Sequence, residues 1–200
     1  VKPSGHPLSD DSLRQANALH EEIIFAAMVP LQVYNSLQVP QERERLRKIK
    51  QLIIGGGAID DNLSEALKDF PHAVWSTYGM TETLSHIALR RLNRDSASDW
   101  YEPFDSVEVS LNADGCLIIN APAICPKPLV TNDRAELQTI SLSNGKHKQV
   151  RFRILGRHDN VIDSGGIKIQ IEEVERALKA HLTEEYAITS IRDKKFGERV

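Results

Sequence analysis

The 200-residue sequence predicts an α/β fold in layers, then a small antiparallel β subdomain and the start of an α+β unit. Three observations carry this. First, two apolar runs in close succession end in glycine and pass into a polar, helix-favouring stretch, in "QLIIGGGAIDDNLSEALKDF" from Gln51 and "AVWSTYGMTETLSHIALRR" from Ala73. Second, after Arg94 the pattern becomes period-two alternation, "SVEVSLNADGCLIINA", around the turn residues Asn112 to Gly115. Third, past Asp159 a strand, a glycine pair, a strand and a helix follow one another in "NVIDSGGIKIQIEEVERALKAHL".

In chain order, "SDDSLRQANALHEE" reads as a helix with Ser9 as N-cap, "IIFAAMV" as a strand, and Pro30 suits the first turn of the next helix. Gln51 to Ile54 is a strand that runs into Gly55-Gly56-Gly57 and then an amphipathic helix with an acidic N-terminus. Ala73 to Tyr78 is a short apolar strand with a tight exit at Gly79, and Leu84, Ile87 and Ala88 give Thr81 to Arg91 helical spacing. Such strand–glycine–helix units build a largely parallel sheet. The runs flanking Asn112 to Gly115, together with "KQVRFRIL", predict an antiparallel β subdomain or small barrel. The expected organisation is an α/β core over 1–98, incomplete at its N-terminus, a β-barrel-like subdomain over 99–158, and a truncated C-terminal α+β domain from 159. A start at Val1 and an end inside an unfinished element mark an expected excerpt of a longer protein.

A net charge of −3, from 25 basic and 28 acidic residues, gives no global field for nucleic acid or an acidic membrane. No run approaches the ~18 apolar residues of a membrane span and no signal peptide opens the sequence, so a cytoplasmic protein is expected. Cys116 and Cys125 lack C-x-x-C spacing and read as plain buried thiols. The seven histidines are scattered without H-E-x-x-H, so a metal would be held mainly by oxygen.

Four segments can carry chemistry. Gly56, Gly57 and Ala58 form either a tight turn into a helix or a bare backbone on which a flat ring can lie, with Tyr78 either covering the ring's other face or buried in a core. Thr81, Glu82 and Thr83 are either helix caps or a phosphate contact with a Mg²⁺ carboxylate, since a carboxylate beside phosphate needs a bridging cation. "TND" at Thr131 to Asp133 offers a loop carboxylate for ribose hydroxyls, and "GRHDN" at Gly156 to Asn160 supplies Arg157. Each of the last two is also an ordinary solvated turn.

Taken in order, GGGA, YGMTET, TND and GRxDxxIxxGGxKI resemble the adenylate-forming superfamily of acyl-CoA synthetases, peptide-synthetase adenylation domains and firefly luciferase. The resemblance runs from about Ile23 to the end. It implies activation of a carboxylate by ATP to an acyl-adenylate and pyrophosphate, with Mg²⁺, then transfer of the acyl group to coenzyme A. On the matching positions it implies that Gly56, Gly57 and Ala58 flank the adenine of ATP or AMP, with Tyr78 and Gly79 opposite. It further implies that Thr81 contacts phosphate, Glu82 meets Mg²⁺, Asp133 holds the ribose and Arg157 assists. Asp159 falls at the superfamily's hinge, and Gly165, Gly166 and Lys168 in "SGGIKI" match the segment lining the pantetheine tunnel. The sequence departs in having TND for T-G-D, Ile171 for the usual proline, and no evident aromatic residue before TND. The lysine-bearing phosphate loop and the late catalytic lysine are also missing, which predicts an inactive fragment.

Within the superfamily, "STYGMTETLSHIALRR" and "LGRHDNVIDSGGIKIQIEEVE" most resemble the branch that joins o-succinylbenzoate to CoA in menaquinone biosynthesis. Such an acid has a second carboxylate to recognise, and His86 and Arg90, at i and i+4 of the expected helix, are its candidate partners or else a solvated face. The alternatives are another acyl- or aryl-CoA ligase, a carrier-protein adenylation domain, or an AMP-binding regulatory relic. No nucleic acid or membrane partner is expected.

Overall fold

Three β-branched or apolar runs near the start of the chain pair as parallel strands and set the layer on which the candidate site rests. The computed structural model describes residues 5–15, 22–141, 148–164, 166–182, 184, 186–195 and 197–200. The chain divides into two compact units, 1–106 and 107–200.

In the first unit, β1 (Phe25–Met28), β2 (Gln51–Ile54) and β3 (Ala73–Gly79) run parallel, and β4 (His86–Arg91) and β5 (Glu102–Pro103) extend the sheet antiparallel, in the order β1-β2-β3-β4-β5. Helix α1 (Asp10–Gln15) opens where Ser9 Oγ accepts from the Ser12 amide at 3.3 Å, as the N-cap reading expects; residues 16–21 of that predicted helix lie outside the described ones. Helices α2 (Pro30–Gln38) and α3 (Pro40–Lys48) each begin on proline, whose missing N–H costs nothing in a first turn. Between β2 and β3, α4 (Asp61–Leu67) is capped by Asp60, which accepts from the Leu63 amide at 2.9 Å. The buried core joins Val33 and Leu46 of the helical layer to Leu52, Ile54 and Val74 of the sheet, with Leu67 of α4.

The helix expected over Thr81–Arg91 does not form. A single 3-10 turn, Thr81–Thr83, is followed by strand β4, which returns along β3 with Ser76 opposite Arg90. The apolar spacing of Leu84, Ile87 and Ala88 has another origin. Ile87 and Ala88 are buried strand residues next to a bulge at Tyr78/Gly79, whereas Leu84 is exposed. Beyond the strand, Asn93 is fully buried: its Oδ1 accepts from the Val74 amide at 3.1 Å and its Nδ2 donates to Phe70 O and His72 O at 2.8 and 2.7 Å.

The second unit opens with the antiparallel sheet β6 (Glu108–Leu111), β7 (Cys116–Asn120), β8 (Leu129–Ser141) and β9 (Lys148–Arg157), in that spatial order. The β6–β7 turn is the predicted Asn112–Gly115, where Asn112 Oδ1 accepts from the amides of Asp114 and Cys116 and Gly115 takes φ +76°. Among the described residues this is a four-stranded antiparallel sheet, the β subdomain that the alternation predicts. TND lies inside β8 rather than in a loop. A second sheet, β11-β10-β13-β12, contains β10 (Val161–Ser164), β11 (Ile167–Gln170), β12 (Ile191–Asp193) and β13 (Gly197–Arg199). The amphipathic helix α5 (Ile171–Lys179) follows β11 directly, where the sequence placed it. Cys116 is buried as expected, Cys125 is only half-buried, and neither is in a disulfide. No helix among the described residues is long and apolar enough to cross a membrane.

Candidate functional site

Strands β2 and β3 are hydrogen-bonded neighbours, so the glycine loop after Ile54 and Tyr78 near the end of β3 emerge side by side at the C-terminal ends of parallel strands. That is where open α/β sheets take ligands. A Cβ at Gly55 would force the Thr77 hydroxyl on β3 to move, and Gly56 needs its glycine for φ +78°. Gly56, Gly57 and Ala58 are exposed. Tyr78 is half-buried, its ring tilted at 56° to that of Tyr101 with centroids 5.7 Å apart, and the Tyr101 hydroxyl shares a 2.8 Å hydrogen bond with Ser76 Oγ. A backbone platform therefore lies beside an aromatic side chain steadied from behind.

The turn after β3 is built around Thr83, only 1% exposed. Its hydroxyl accepts from the Met80 amide at 3.0 Å and faces the carbonyls of Met80 and Ser85 at 3.0 and 2.7 Å. Leu84 then adopts φ 61°, ψ −34°, and the Ser85 amide donates to Thr83 O at 2.6 Å, closing a γ-turn of the rare, strained hand. Gly79 is fixed by packing, since a Cβ there would lie 2.6 Å from His86 Cα. Thr81 and Glu82 stand exposed on the turn. With only three residues of 3-10 helix, no macrodipole is available to attract phosphate; any attraction must come from individual N–H groups, hydroxyls and a cation.

A single exposed carboxylate next in sequence to the exposed Thr81 fits Mg²⁺, which keeps several waters and takes one or two carboxylates plus phosphate oxygens. Among the described residues no three or more His, Cys, Asp or Glu side chains converge as a protein-only cage. Glu82 would hold the ion, which when bound neutralises phosphate charge.

In the second unit, Asp133 and Arg157 are directly opposite on β8 and β9, with Arg157 Nη1 3.7 Å from Asp133 Oδ1. The same guanidinium grips Asp159 with two charge-assisted hydrogen bonds, Nε to Oδ1 at 2.8 Å and Nη2 to Oδ2 at 2.6 Å. The hydrogen bond and charge of Asp159 raise the Arg157 pKa further, and the hydrogen bond from Arg157 holds the Asp159 carboxyl below its usual range.

Sequence reasoning missed the supports of this pair. Gln170, buried at the end of β11, donates from Nε2 to Arg157 O at 2.8 Å and accepts from Arg134 Nη1 at 3.1 Å. Glu172, in the first turn of α5, accepts from the Arg157 amide at 3.2 Å, from Asn160 Nδ2 at 2.9 Å and from Gln170 Nε2. Burial pushes the Glu172 carboxyl up, but the hydrogen bonds from Gln170, Asn160 and backbone outweigh it and leave the pKa lowered. The only local signal was an acidic residue at a helix start, which is indistinguishable from a cap.

Gly166 lies in the β10–β11 turn at φ +87° with open space where a side chain would be, and Lys168 is exposed on β11; Gly165 lies outside the described residues. His86 and Arg90 fall on β4, not on a helix face, so four residues put them ~13 Å apart along the strand. His86 accepts or donates at Nδ1 with Ser85 Oγ at 3.1 Å and meets the Phe104 ring edge-on at 5.5 Å. Arg90 is already occupied by Asp99 at 3.2 Å and by the Tyr101 ring at 5.2 Å, although its Nε is buried without a partner.

Comparison with known proteins agrees with this architecture. No family model matches the chain. A solved acyl-CoA synthetase (AMP-forming)/AMP-acid ligase II-like protein from Dyadobacter fermentans is 27% identical, with a TM-score of 0.66 over 100% of this chain and 53% of that one. The fold is that of AMP-binding acyl-CoA synthetases. More particularly, the chain resembles 2-succinylbenzoate–CoA ligases: that of Salmonella typhimurium is 29% identical over 183 residues, 87% of this chain and 38% of the relative. The Escherichia coli enzyme MenE, solved with a phenylether-linked analogue of OSB-AMS, is 27% identical with a TM-score of 0.66 over 88% of this chain and 40% of that one. The chain thus spans under two fifths of the curated Salmonella relative's length.

Proposed function

We propose that the chain is part of an AMP-forming acid–thiol ligase that converts o-succinylbenzoate to its CoA thioester through an acyl-adenylate, using ATP and Mg²⁺ in the cytoplasm. The observation that carries the nucleotide part is the glycine platform of β2 beside Tyr78 of β3 at adjacent parallel strand ends. The acid is suggested by what the relatives are named for. In this reading adenine lies on Gly56–Ala58 beneath Tyr78, Thr81 donates to phosphate, and Asp133 accepts the ribose hydroxyls with Arg157 at its side. Residues from Asp159 onward form a C-terminal domain that changes pose between adenylation and thioester formation, and Gly165, Gly166 and Lys168 line the pantetheine path. His86 is better placed than Arg90 to meet the acid, because the Arg90 guanidinium is already paired.

The test uses the full-length protein and measures acid-dependent pyrophosphate release, then thioester formation with CoA, for o-succinylbenzoate, benzoate and a medium-chain fatty acid. Release driven by o-succinylbenzoate at the highest kcat/KM supports the assignment. A higher value for either competitor would move it to another acyl- or aryl-CoA ligase. AMP binding without pyrophosphate release from any acid would favour a regulatory nucleotide-binding role.

A further inference from the structure

The Arg90 side chain is only 15% exposed, yet its polar contacts do not account for that burial. Its Nη1 reaches Asp99 at 3.2 Å, an exposed carboxylate whose pairing contributes little, and its Nε is buried without a hydrogen-bond partner among the described residues. What the guanidinium covers is the ring of Tyr101, 5.2 Å from its centroid. Tyr101 is in turn tied at its far end, where its hydroxyl shares a 2.8 Å hydrogen bond with Ser76 Oγ, in a residue 2% exposed. Its ring meets that of Tyr78 at 5.7 Å and 56°, within the range of favourable aromatic pairs.

Ser76, Tyr78 and Arg90 share one face of the sheet, since Ser76 and Tyr78 are two apart on β3 and Arg90 is opposite Ser76 on β4. Arg91 belongs to the other face, where it lies over Trp75 at 4.9 Å. Two successive arginines therefore each stack on an aromatic ring, but only the ring under Arg90 leads on to the tyrosine beside the glycine platform.

We propose that Tyr101 is a positioning residue for the nucleotide: held between the Ser76 hydroxyl and the Arg90 guanidinium, it fixes the Tyr78 ring in the orientation that receives adenine. This rests on the functional reading above, in which Tyr78 covers the base, and it assigns Arg90 to the nucleotide end of the reaction rather than to the acid. A tyrosine that turned freely about χ1 would have to be ordered by the ligand, whereas one already held loses less on binding.

The experiment uses the full-length protein and its Tyr101→Ala, Tyr101→Phe, Arg90→Met and Tyr78→Ala variants, with the Tyr78→Ala/Tyr101→Ala pair. It measures AMP affinity, the KM for ATP and for the acid that wild type activates best, and the melting temperature. Tyr78→Ala should weaken AMP about tenfold or more, the loss of one aromatic stack on a base. Tyr101→Ala should weaken AMP and raise the KM for ATP about three- to tenfold, with the KM for the acid within about twofold of wild type, and Tyr101→Phe, which keeps the ring, should restore AMP affinity to within about twofold. The pair should bind AMP within about twofold of Tyr78→Ala alone, because a support has nothing left to act on, whereas independent losses would multiply. Arg90→Met should weaken AMP about threefold and leave the KM for the acid unchanged. Where Tyr101→Ala does not fold, Tyr101→Leu, which keeps apolar volume without a ring, takes its place. The inference is overturned if the ring-less variant binds AMP as wild type does, if its loss multiplies in full with that of Tyr78→Ala, or if Phe fails to restore. A raised KM for the acid with unchanged AMP affinity in Arg90→Met also overturns it and returns Arg90 to the acid. Tyr78→Ala binding AMP as wild type does overturns the nucleotide reading together with this inference.

Discussion

Glu82 sits on a turn too short for a dipole of consequence, so charge–dipole attraction contributes little to a capping role there. In the proposed reading its exposed carboxylate takes one Mg²⁺ ligand position. Glu82→Gln keeps size and hydrogen-bonding capacity but removes the charge. In the full-length protein it should raise the Mg²⁺ concentration needed for half-maximal pyrophosphate release and lower kcat for adenylation, with the melting temperature unchanged. A Mg²⁺ titration that superimposes on wild type would move the metal elsewhere. At this scale the sequence was informative where chemistry and conformation coincide. Gly56 with its positive φ, and the Asp133–Arg157 pair, were legible as motifs. Gln170 and Glu172 were not, because their partners Arg134 and Arg157 are contributed by strands distant in sequence.

At the scale of elements, β3 and β4 are held together by more than their ladder. Asn93 satisfies the Val74 amide and two carbonyls ahead of β3 from a site without solvent, and its Oδ1 also accepts from Arg91 Nε at 2.6 Å. Asn93→Ala leaves these groups unpaired and should cost about 2–4 kcal/mol in a denaturant titration. Asn93→Asp keeps the acceptor but loses both donors, so it should also destabilise; a neutral Asp variant would show that the carbonyl contacts contribute little. The same region explains the misread helix. Two successive buried residues at a β-bulge, preceded by an exposed leucine, give the i, i+3, i+4 spacing of an amphipathic helix, and periodicity alone cannot tell the two apart. Strands β2 and β7, the Asn112–Gly115 hairpin and helix α5 were legible because turn chemistry and apolar pattern agreed. The clasp at α5 has a pH signature. The folded-state pKa of Glu172 is lowered, so its contribution is complete above the ordinary carboxylate range and is lost as pH falls through the depressed value. Wild type should therefore lose melting temperature between about pH 6 and 3 more steeply than Glu172→Gln, and parallel curves would show the clasp to be energetically idle.

On the scale of the whole molecule, the proposed reading comprises two half-reactions, adenylation and thioester formation. A ligase that works through two poses should be separable by substitution into its two half-reactions, and Gly166 is the position at which to try. Its φ of +87° strains any side chain, yet nothing lies within 4 Å of where a Cβ would sit, so Gly166→Ala and Gly166→Leu share one backbone cost and differ only in bulk. If the turn lines the pantetheine path, Leu should block thioester formation while acid-dependent pyrophosphate release continues, and Ala should leave both nearly as in wild type. If the turn serves folding alone, the two variants should lose both half-reactions together, in step with a lowered melting temperature. Single-turnover measurement of each half-reaction, with the melting curve beside it, separates these outcomes, because bulk at a ligand path affects the step that uses the path, whereas backbone strain is carried through every step.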